Sequence, residues 1–384
     1  MDAPSPTGRY RHFGSGTTAY RAFVPDPLPP DLTLAEDDYD LMERANRALG
    51  RLDGIATLLP DRDLFLYLYV RKEAVLSSQI EGTPSSLTDL LQHEDGITPG
   101  VPLDDVREVS RYVAALDHGL ARLRSGFPLS LRLIREIHEV LLSSGRGAAM
   151  TPGAFRRSQV WLGGTSPWTA AFVPPPPDEL DGCLDAFERY LHRPGVPVLV
   201  KAALAHVQFE TIHPFLDGNG RVGRLLITFL LCAEEVLSDP LLYLSLFFKT
   251  HRDEYYERLQ RVRTHGDWEG WLRYFLRGVQ STSKQAVDTA RDLLALFEQD
   301  REHIRAEAGR SAGSVLQVQE VMQRRPLVTI AEAARQSGLN YATVRSALEA
   351  LSQFGLVREV PDRPARTFHY ARYLAILERG TEPP

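Results

Sequence analysis

Twelve consecutive residues near the middle of the chain combine the side chains that phosphate chemistry requires. Residues 213–224 read HPFLDGNGRVGR. Gly218 and Gly220 let the backbone approach an anion closely, while N–H groups at the start of a following helix point toward it. Asp217 offers Mg²⁺ a hard oxygen ligand, and His213 can accept a proton near neutral pH. The segment therefore predicts a site for a Mg²⁺-bound nucleoside triphosphate.

Two arginines in this segment strengthen the prediction. Arg221 and Arg224 are three residues apart, so they share a face of the first helical turn. Cations oppose the helix dipole at an N-terminus, and this local conflict indicates that an anion binds between them. The alternative is a glycine-containing connection with surface arginines. That alternative would explain a lone HP or GNG, but not the whole combination.

Two apolar segments must hold this loop in place. Residues 198–212 (VLVKAALAHVQFETI) are hydrophobic on most faces and predict a buried helix. Pro214 disfavours the α conformation at His213, so we expect the helix to end there. A second buried helix is predicted at 221–236. Residues 213–220 are then a tight turn between two helices.

The loop resembles the signature of the Fic family, HPFx[D/E]GNGRxxR, at every specified position. The flanking segments VPVLVKAALAHVQFETI, GAFRRSQVWLGG and FVPPPPDEL are also similar to that family, and the resemblance spans roughly residues 40–280. It implies a protein adenylyltransferase, which moves AMP from ATP onto a protein hydroxyl and releases pyrophosphate. ATP would be the substrate and Mg²⁺ the metal.

The resemblance also implies a role for each residue of the loop. His213 would deprotonate a Ser, Thr or Tyr of the target, and Asp217 would hold Mg²⁺ between the α- and β-phosphates. The remaining residues would handle phosphates or anchor the loop: Gly218, Asn219 and Gly220 as the cradle, Arg221 at the β-phosphate, Arg224 at the γ-phosphate and Phe215 in the core.

Three residues farther along match a region that lines the adenine side in relatives: Tyr255, Tyr256 and Arg263. The alternative for an aromatic pair at a helix end is packing in the core. Upstream, residues 155–177 predict a β-hairpin flap, because β-formers flank Gly163 and Gly164 and four prolines follow. Such a flap could align a target segment by strand addition, or it could merely cover the nucleotide.

Residues 77–82 (SSQIEG) resemble the family's inhibitory motif, [S/T]xxxE[G/N], in the class where it precedes the core. Ser77 and Glu81 share a helix face, and Gly82 follows directly. Glu81 lies in the last helical turn, where the dipole disfavours an anion, so it needs a cation. We expect that cation to be Arg224, which then could not receive the γ-phosphate. The alternatives are a solvated helix end and a glutamate that takes part in removing AMP.

The other histidines and the cysteines predict no metal site. His206 and His138 lie in apolar helical patterns and are expected to be hydrogen-bonded core residues. Cys183 and Cys232 have no CxxC partner, which argues against a zinc ribbon or a disulfide scaffold. With no apolar run of about twenty residues and no signal core at the start, we expect a cytoplasmic protein without a membrane span.

A separate module is expected at residues 315–384. Thr329 opens a capping box, Gly338 ends that helix and Asn340 can cap the next one. Helix, turn, helix and a β-wing resemble a winged helix-turn-helix domain, which occurs attached to some Fic proteins. Its groove-facing and wing residues would be Tyr341, Thr343, Arg345, Arg363 and Arg366.

The charge distribution leaves the partner of this module open. Residues 311–384 carry nine Arg and seven acidic residues, about +2, whereas the whole chain carries −6. This excess permits DNA binding without requiring it. The alternative is that the module packs against the core or against a second subunit in a homodimer.

The expected architecture is mainly α-helical, a Fic-type helical core with a β-hairpin flap and a small α+β winged helix. The predicted divisions are an irregular arm at 1–35, a helical segment at 36–125 with an inhibitory helix at about 62–82, a core at 126–307, a linker at 308–314 and the C-terminal module. Two other functions stay open at this stage. One is transfer of a different nucleotide or phosphoryl group, and the other is a nucleotide-sensing, DNA-binding regulator.

Overall fold

A computed structural model describes residues 7–58, 62–94, 101–361 and 365–382 and is mainly α-helical, as predicted. The elements up to the HPFLDGNGRVGR loop are β1 (Gly8–Phe13), β2 (Tyr20–Pro25), α1 (Glu36–Leu58), α2 (Arg62–Ile80), α3 (Leu87–Glu94), α4 (Leu103–Arg124), α5 (Leu131–Leu141), α6 (Pro177–Leu191) and α7 (Val198–Ile212). The later elements are α8 (Asn219–Ala233), α9 (Ser245–Thr250), α10 (Arg252–His265), α11 (Trp268–Glu307), α12 (Ala312–Arg324), β3 (Leu327–Thr329), α13 (Ile330–Ser337), α14 (Tyr341–Gln353), β4 (Arg358–Val360), β5 (Thr367–His369) and α15 (Ala371–Leu377).

The prediction of an irregular N-terminal arm is wrong for residues 8–25. β1 and β2 form an antiparallel hairpin with Phe13 opposite Tyr20. β2 buries Phe23 and Val24 in the core, and the Phe23 N–H donates to the carbonyl of Val173 at 2.8 Å. The hairpin is stabilised by this distant partner, which the local Pro and Gly content of the sequence does not reveal.

The predicted flap hairpin at residues 155–177 is only partly formed. One isolated bridge joins Leu162 to Phe172, and the rest of the segment is irregular. Gly163 and Gly164 both have positive φ, 66° and 88°, and they turn the chain directly after the bridge. The four prolines that follow lack N–H donors, so the ladder cannot extend beyond the bridge.

α7 and α8 form the buried pair that carries the loop. Every α7 residue after Val198 is buried, consistent with its apolar character on most faces. α8 begins at Asn219, two residues earlier than predicted, because Gly218 adopts a left-handed conformation (φ 78°) and acts as its N-cap. α4 crosses α8 closely, where Gly119 faces the ring of Phe229.

α2 carries the inhibitory segment (residues 77–82) and is enclosed by other helices. α3, α4, α8 and α9 pack around it. Gly82 has φ 91° and lies just after the last residue of the helix, which therefore ends where the sequence predicted. The buried polar side chains of this helix are Lys72, Glu73, Ser77, Ser78 and Gln79.

The linker predicted at 308–314 is instead a tight bend. Gly309, with φ 52°, ends α11, and a 3₁₀ turn at Gly309–Ser311 leads directly into α12. Val315, Val318 and Met322 of α12 are buried, and α12 packs on α11. The polar composition of this stretch resembled a linker, but helical continuation buries apolar side chains on both sides of the bend.

The region after α12 contains the helices and hairpin that the sequence indicated. The Thr329 side chain accepts from the Glu332 N–H, and the Asn340 side chain accepts from the Thr343 N–H, so both predicted caps are present. β3, β5 and β4 form a three-stranded antiparallel sheet with β5 in the centre. α15 follows this sheet and packs on α11, an element that the sequence analysis did not predict.

The close α4–α8 crossing yields a stability prediction. In Gly119→Ala the new methyl group would overlap the Phe229 ring, and such overpacking costs about 1–3 kcal/mol. Gly50→Ala in the exposed face of α1 is the matched control, since nothing lies within 4 Å of its added Cβ. We expect the control to gain about 0.5–1 kcal/mol from helix propensity. Urea unfolding midpoints would separate the two, and equal shifts would contradict the close crossing.

Candidate active site

The first element of the site is a strained turn at His213. α7 ends at Ile212, and His213 has φ 50° and ψ 61°, a left-handed conformation that is uncommon for a non-glycine residue. Its N–H donates to the Phe209 carbonyl at 2.9 Å. Pro214 follows directly, and α7 ends before it as predicted.

The loop is fixed in place by bonds to Phe215 and Asp217. Phe215 is fully buried, as predicted, and the Asn219 amide both accepts from its N–H and donates to its carbonyl, each at 2.9 Å. The side chain of Asn219 therefore closes the loop. His138 stacks on Phe215 with ring centroids 3.7 Å apart, and its Nε2 lies 3.0 Å from the Asp217 carbonyl.

The tautomer of His138 follows from its second nitrogen. The Gly153 N–H donates to Nδ1 at 2.9 Å, so the proton lies on Nε2 and is donated to Asp217. Burial lowers the pKa of His138 to about 4, which keeps the ring neutral. The sequence correctly indicated a hydrogen-bonded core histidine, but not that it positions the loop. His206 is also a core residue, between the Gly223 carbonyl and the Tyr255 hydroxyl.

Arg156 is a positioning residue that the sequence analysis missed. Its guanidinium is buried and donates to the carbonyls of His213 (2.8 Å), Ile212 (3.3 Å) and Pro175 (2.6 Å). Burial lowers its pKa to about 10. Arg156 thus ties the flap to the end of α7. The neighbouring Arg157 is exposed, and nothing in the local pattern distinguishes the two arginines.

Arg221 presents unmatched donors at the start of α8. Its side chain is 6% exposed, and within the described residues neither Nε nor Nη1 has a hydrogen-bond partner. Its nearest carboxylates lie at ion-pair distance but beyond hydrogen-bond distance, with Glu108 at 3.8 Å and Asp217 at 3.6 Å. Because buried donors without partners are costly, this arrangement fits an oxyanion between Arg221 and the helix N-terminus.

Asp217 has the environment of a magnesium ligand. Its carboxylate is 43% exposed, and one oxygen accepts from the Gly218 N–H at 2.7 Å. In the described part of the chain no three His, Cys, Asp or Glu residues cluster as a protein-only metal site. Mg²⁺ is commonly held by one or two carboxylates together with phosphate oxygens and water. A single carboxylate beside an anion site therefore fits Mg²⁺ shared with a triphosphate.

Arg224 is held by the inhibitory segment. Its Nη2 donates to Glu81 Oε1 at 2.7 Å and to the Ser77 carbonyl at 3.0 Å, and its Nε donates to the Ser77 hydroxyl at 2.8 Å. Burial opposes ionisation of Glu81, but the adjacent Arg224 charge holds the pKa of this carboxyl below its ordinary value. The contact expected from the sequence between Glu81 and Arg224 is thus present.

The Glu81 carboxylate also covers the start of α8. A Cβ added at Gly220 would overlap Glu81 Oε1, so the carboxylate lies directly against the backbone of the first helical turn. N–H groups of that turn lack partners within the helix and attract anions. Glu81 therefore occupies a position that suits a phosphate oxygen.

His213 is neutral and has one nitrogen available. Burial, followed by the charge of Arg263, holds the pKa of this imidazole well below its ordinary value. Nδ1 lies 3.4 Å from the Glu210 carbonyl, which favours a proton on Nδ1. No hydrogen bond to Nε2 occurs within the described residues, so Nε2 can accept a proton.

The three residues predicted at the adenine side lie in different environments. Tyr255 is 1% exposed and packs among the rings of Phe248, Tyr256 and Trp271, which is the core-packing alternative. Tyr256 is 43% exposed, and burial of part of the side chain, followed by the charge of Glu81, raises its pKa. Arg263 is buried and donates to the Glu210 carbonyl and the Thr211 hydroxyl, where it supports the end of α7.

The predicted groove and wing residues of the C-terminal region also differ from one another in exposure and in ion pairing. Tyr341 and Arg345 are exposed at the start of α14, and Thr343 is half-buried there. Arg366 is engaged by Glu349 at 2.9 Å and Glu359 at 2.8 Å. Arg363 lies outside the described residues.

Comparisons with known proteins identify two domains. Residues 39–121 match the Fic/DOC family N-terminal model, and residues 128–231 match the Fic/DOC family model. The protein adenylyltransferase Fic of Aedes aegypti is 34% identical over 217 residues, 54% of this chain and 39% of that protein. Its counterpart in Drosophila ananassae is 31% identical over 192 residues, 49% of this chain and 35% of that protein. The chain thus spans well under half the length of the curated relatives it matches.

Solved structures share the fold. A Fic family protein from Desulfovibrio desulfuricans G20 matches with a TM-score of 0.60 at 19% identity, over 89% of this chain and 98% of that chain. A Fic-domain-containing signaling protein from Bacteroides thetaiotaomicron VPI-5482 matches with a TM-score of 0.51 at 18% identity, over 66% and 97%. These likenesses establish the architecture. Among the described helices, none combines the length and apolar character needed to cross a membrane.

A buried acid beside the site gives a pH prediction. Burial raises the pKa of Glu210 to about 7, and within the described residues its Oε1 has no hydrogen-bond partner. The folded chain then holds a proton that the unfolded chain releases between its ordinary pKa of 4.5 and about 7, so stability falls as pH rises through this window. In Glu210→Gln this fall is absent. Between pH 4.5 and 8 the free energy of unfolding of the variant therefore rises relative to that of the parent by up to about 3 kcal/mol.

Urea unfolding at several pH values, with exposed Glu257→Gln as control, would measure this difference. The control should change stability equally at every pH. A pH-independent offset for Glu210→Gln as well would show that Glu210 titrates normally.

Proposed function

Because this chain carries the N-terminal and Fic domains of the Fic/DOC family, we propose that it is a protein adenylyltransferase held in an inhibited state. One observation carries this proposal: two buried arginines, one of them with unmatched donors, lie on the first two turns of α8, shortly after a neutral histidine with a free nitrogen. Nucleotidyl transfer needs this pairing of a base with a phosphate site.

In the proposed reaction, His213 Nε2 takes the proton of a Ser, Thr or Tyr hydroxyl on a target protein. The hydroxyl oxygen bonds to the α-phosphorus of ATP, and the bond from this phosphorus to the oxygen that bridges to the β-phosphate breaks. Pyrophosphate leaves with the electron pair, and AMP stays on the target. The strained turn at His213 and the Arg156 bonds to its carbonyl support the orientation this transfer requires.

Charge on the phosphates would be met by the start of α8. Arg221 would use its unmatched donors for the β-phosphate, and the N–H groups of Gly218, Asn219 and Gly220 would contact the phosphate oxygens. Asp217 would hold Mg²⁺, which supplies positive charge to the α- and β-phosphates as pyrophosphate develops. Tyr256 and Arg263 remain on the adenine side of this assignment, with Tyr256 as the exposed contact and Arg263 as support.

Inhibition would come from competition for one guanidinium. Arg224 would bind the γ-phosphate, but Glu81 and Ser77 already use its Nε and Nη2. The carboxylate also covers the backbone of Gly220, where the phosphates would lie. ATP could then enter only in a position that misaligns the α-phosphate.

Two further features of the proposed reaction are the identity of the nucleotide donor and whether AMP is added or removed. The phosphate loop does not contact a base, so another nucleotide or phosphoryl donor would satisfy it equally. Glu81 lies close to the same site, and a role in removing AMP would use the same residues. Mass spectrometry of the protein after incubation with each Mg-NTP would identify the donor from the mass increment.

A second candidate function rests on the C-terminal region. We propose that residues 315–384 form a winged helix-turn-helix domain whose α14 faces a DNA groove. The exposure of Tyr341 and Arg345 on the first turns of α14 supports this role. A regulator that only senses nucleotide would not need a general base, so His213 favours the enzyme.

The inhibited state predicts a gain of activity on Glu81→Gly. This change frees Arg224, and we expect auto-modification by labelled Mg-ATP to rise at least about tenfold, as for the loss of a charge-assisted contact of about 1.4 kcal/mol or more. His213→Ala in the same background should abolish the label. Phosphor imaging and intact-mass measurement would quantify both.

Glu94→Gly is the matched control for this experiment. Glu94 also ends a helix and pairs with an arginine, Arg71 at 2.7 Å, but it does not contact Arg224. Its loss should leave auto-modification unchanged. No gain on Glu81→Gly, or an equal gain on Glu94→Gly, would refute inhibition by the Glu81 contact.

DNA binding by α14 predicts a graded response to charge removal. In gel-shift titrations with random duplex at low salt, Arg345→Ala should weaken binding and reduce the salt slope by about 1, as for one lost phosphate contact. Arg366→Ala should change binding less, because Glu349 and Glu359 already pair with Arg366. No shift with the parent protein would instead favour a protein-interaction role for this region.

A further inference from the structure

Residues 378–382, which we call the strap, lie against the helix that carries the inhibitory segment. The Gln79 side chain donates to the Thr381 carbonyl at 2.8 Å, and Lys72 Nζ donates to the Arg379 carbonyl at 2.9 Å. Thr381 is 1% exposed. The strap is therefore packed on α2, although about three hundred residues separate them in sequence.

Neighbouring elements anchor the strap at both ends. Thr88 on α3 donates to the Glu378 carboxylate, and Lys249 on α9 donates to the carbonyls of Gly380 and Glu382. Gly380 lies so close to Leu246 that an added Cβ would be 2.5 Å from its side chain. The strap thus spans the groove between α3 and α9 and closes it over α2.

The strap and Arg224 contact nearly opposite faces of α2. With about 3.6 residues per turn, Lys72 and Gln79 share one face, and Ser77 and Glu81 share a face on the far side. Arg224 holds the second face, and the strap holds the first. While the strap is in place, α2 cannot withdraw from Arg224.

The polar groups around this contact show how much the position of α2 depends on the strap. Lys72 is 2% exposed, and the strap carbonyl is its hydrogen-bond acceptor within the described residues. Ser78 Oγ, Gln79 Oε1 and Ser85 Oγ are buried with no partner in the same part of the chain. The end of α2 is therefore poorly satisfied by its immediate neighbours, and loss of the strap would expose it to water.

The strap follows α15 and so moves with the C-terminal region. That region contacts α11 through Asp300, which accepts from Tyr370 at 2.5 Å and from Arg372 at 2.9 Å, and through the rings of Tyr370 and Tyr373 against Phe297. Between α3 and the β4–β5 sheet lies a cavity of about 200 Å³, lined by Leu91, Leu327, Val360 and Leu374 among others. The strap is therefore joined in sequence to α15, which packs on α11.

We propose that the strap residues are positioning residues for inhibition, and that displacement of the strap from α2 loosens the Glu81–Arg224 contact. The proposal rests on the inhibited transferase described above and names the part of the molecule that regulates it. The strap reaches Arg224 through α2, because it contacts α2 at Lys72 and Gln79 while Ser77 of α2 contacts Arg224.

The test is a double-mutant cycle in the full chain. Gln79→Leu removes the bonds to the Thr381 and Ser85 carbonyls, and loss of the Thr381 bond should raise Mg-ATP auto-modification roughly three- to tenfold, the effect expected for one buried hydrogen bond. Lys72→Met leaves the Ser85 bond intact, so a gain in both variants assigns the effect to the strap. Gln319→Leu is the matched control, because Gln319 is equally buried and donates to a distant carbonyl, that of Phe297, without contacting α2. Lys72→Met is a second strap variant of similar size.

A contribution through Glu81 has a specific signature. In the Glu81→Gly background, Gln79→Leu and Lys72→Met should give no further gain, because the contact they weaken is already absent. Equal responses of Gln79→Leu and Gln319→Leu would overturn the proposal. So would additive gains in the Glu81→Gly background.

Hydrogen exchange provides a readout that does not need activity. Amides of residues 76–81 should exchange at least roughly threefold faster in Gln79→Leu and Lys72→Met than in the parent, with no change in Gln319→Leu. Unchanged protection of these amides from exchange would overturn the proposed role of the strap, even if Glu81→Gly is active. Faster exchange together with an inactive Glu81→Gly protein would instead place the failure in the transferase assignment.

Discussion

Arg224 is a buried guanidinium in the second turn of α8, and it obtains the anion that it requires from Glu81. Its side chain is 2% exposed, and the helix dipole adds to the positive charge around it. Any anion at this position must compensate both the guanidinium charge and the helix dipole. Much of the surrounding structure can be understood as a means of presenting either a carboxylate or a phosphate at this position, since the two ligands demand the same donors and exclude each other.

The loop that presents Arg224 is rigid because its bonds are redundant. Asn219 closes it on Phe215, His138 stacks beneath that ring and binds the Asp217 carbonyl, and Arg156 binds the turn at His213. α2, which contacts Arg224, is held differently. Its own end leaves buried polar atoms unsatisfied, and its position depends on Arg224 on one face and the strap on the other. The loop and the end of α2 are thus held by different kinds of contact.

Local signals in the sequence were sufficient for elements whose structure is determined locally. The end of α7 at Pro214 and the caps at Thr329 and Asn340 each depend on a side chain acting within a few residues. Local signals failed where a distant partner decides. The N-terminal hairpin is stabilised at Val173, the bend at Gly309 is set by burial of α12, and Tyr255 is drawn into the aromatic core.

The sequence by itself determined the chemistry of the loop, since the required groups are contiguous in residues 213–224 and the turn between two apolar helices gathers them without outside help. It also indicated a pairing between Glu81 and Arg224, because each has an electrostatic deficit at its helix end. Only the tertiary structure decided that Arg156 rather than Arg157 holds the turn. It also decided that residues 378–382 pack on the face of α2 that carries Lys72 and Gln79. Those contacts join residues far apart in the chain, and burial, which selects them, is a property of the packed molecule alone.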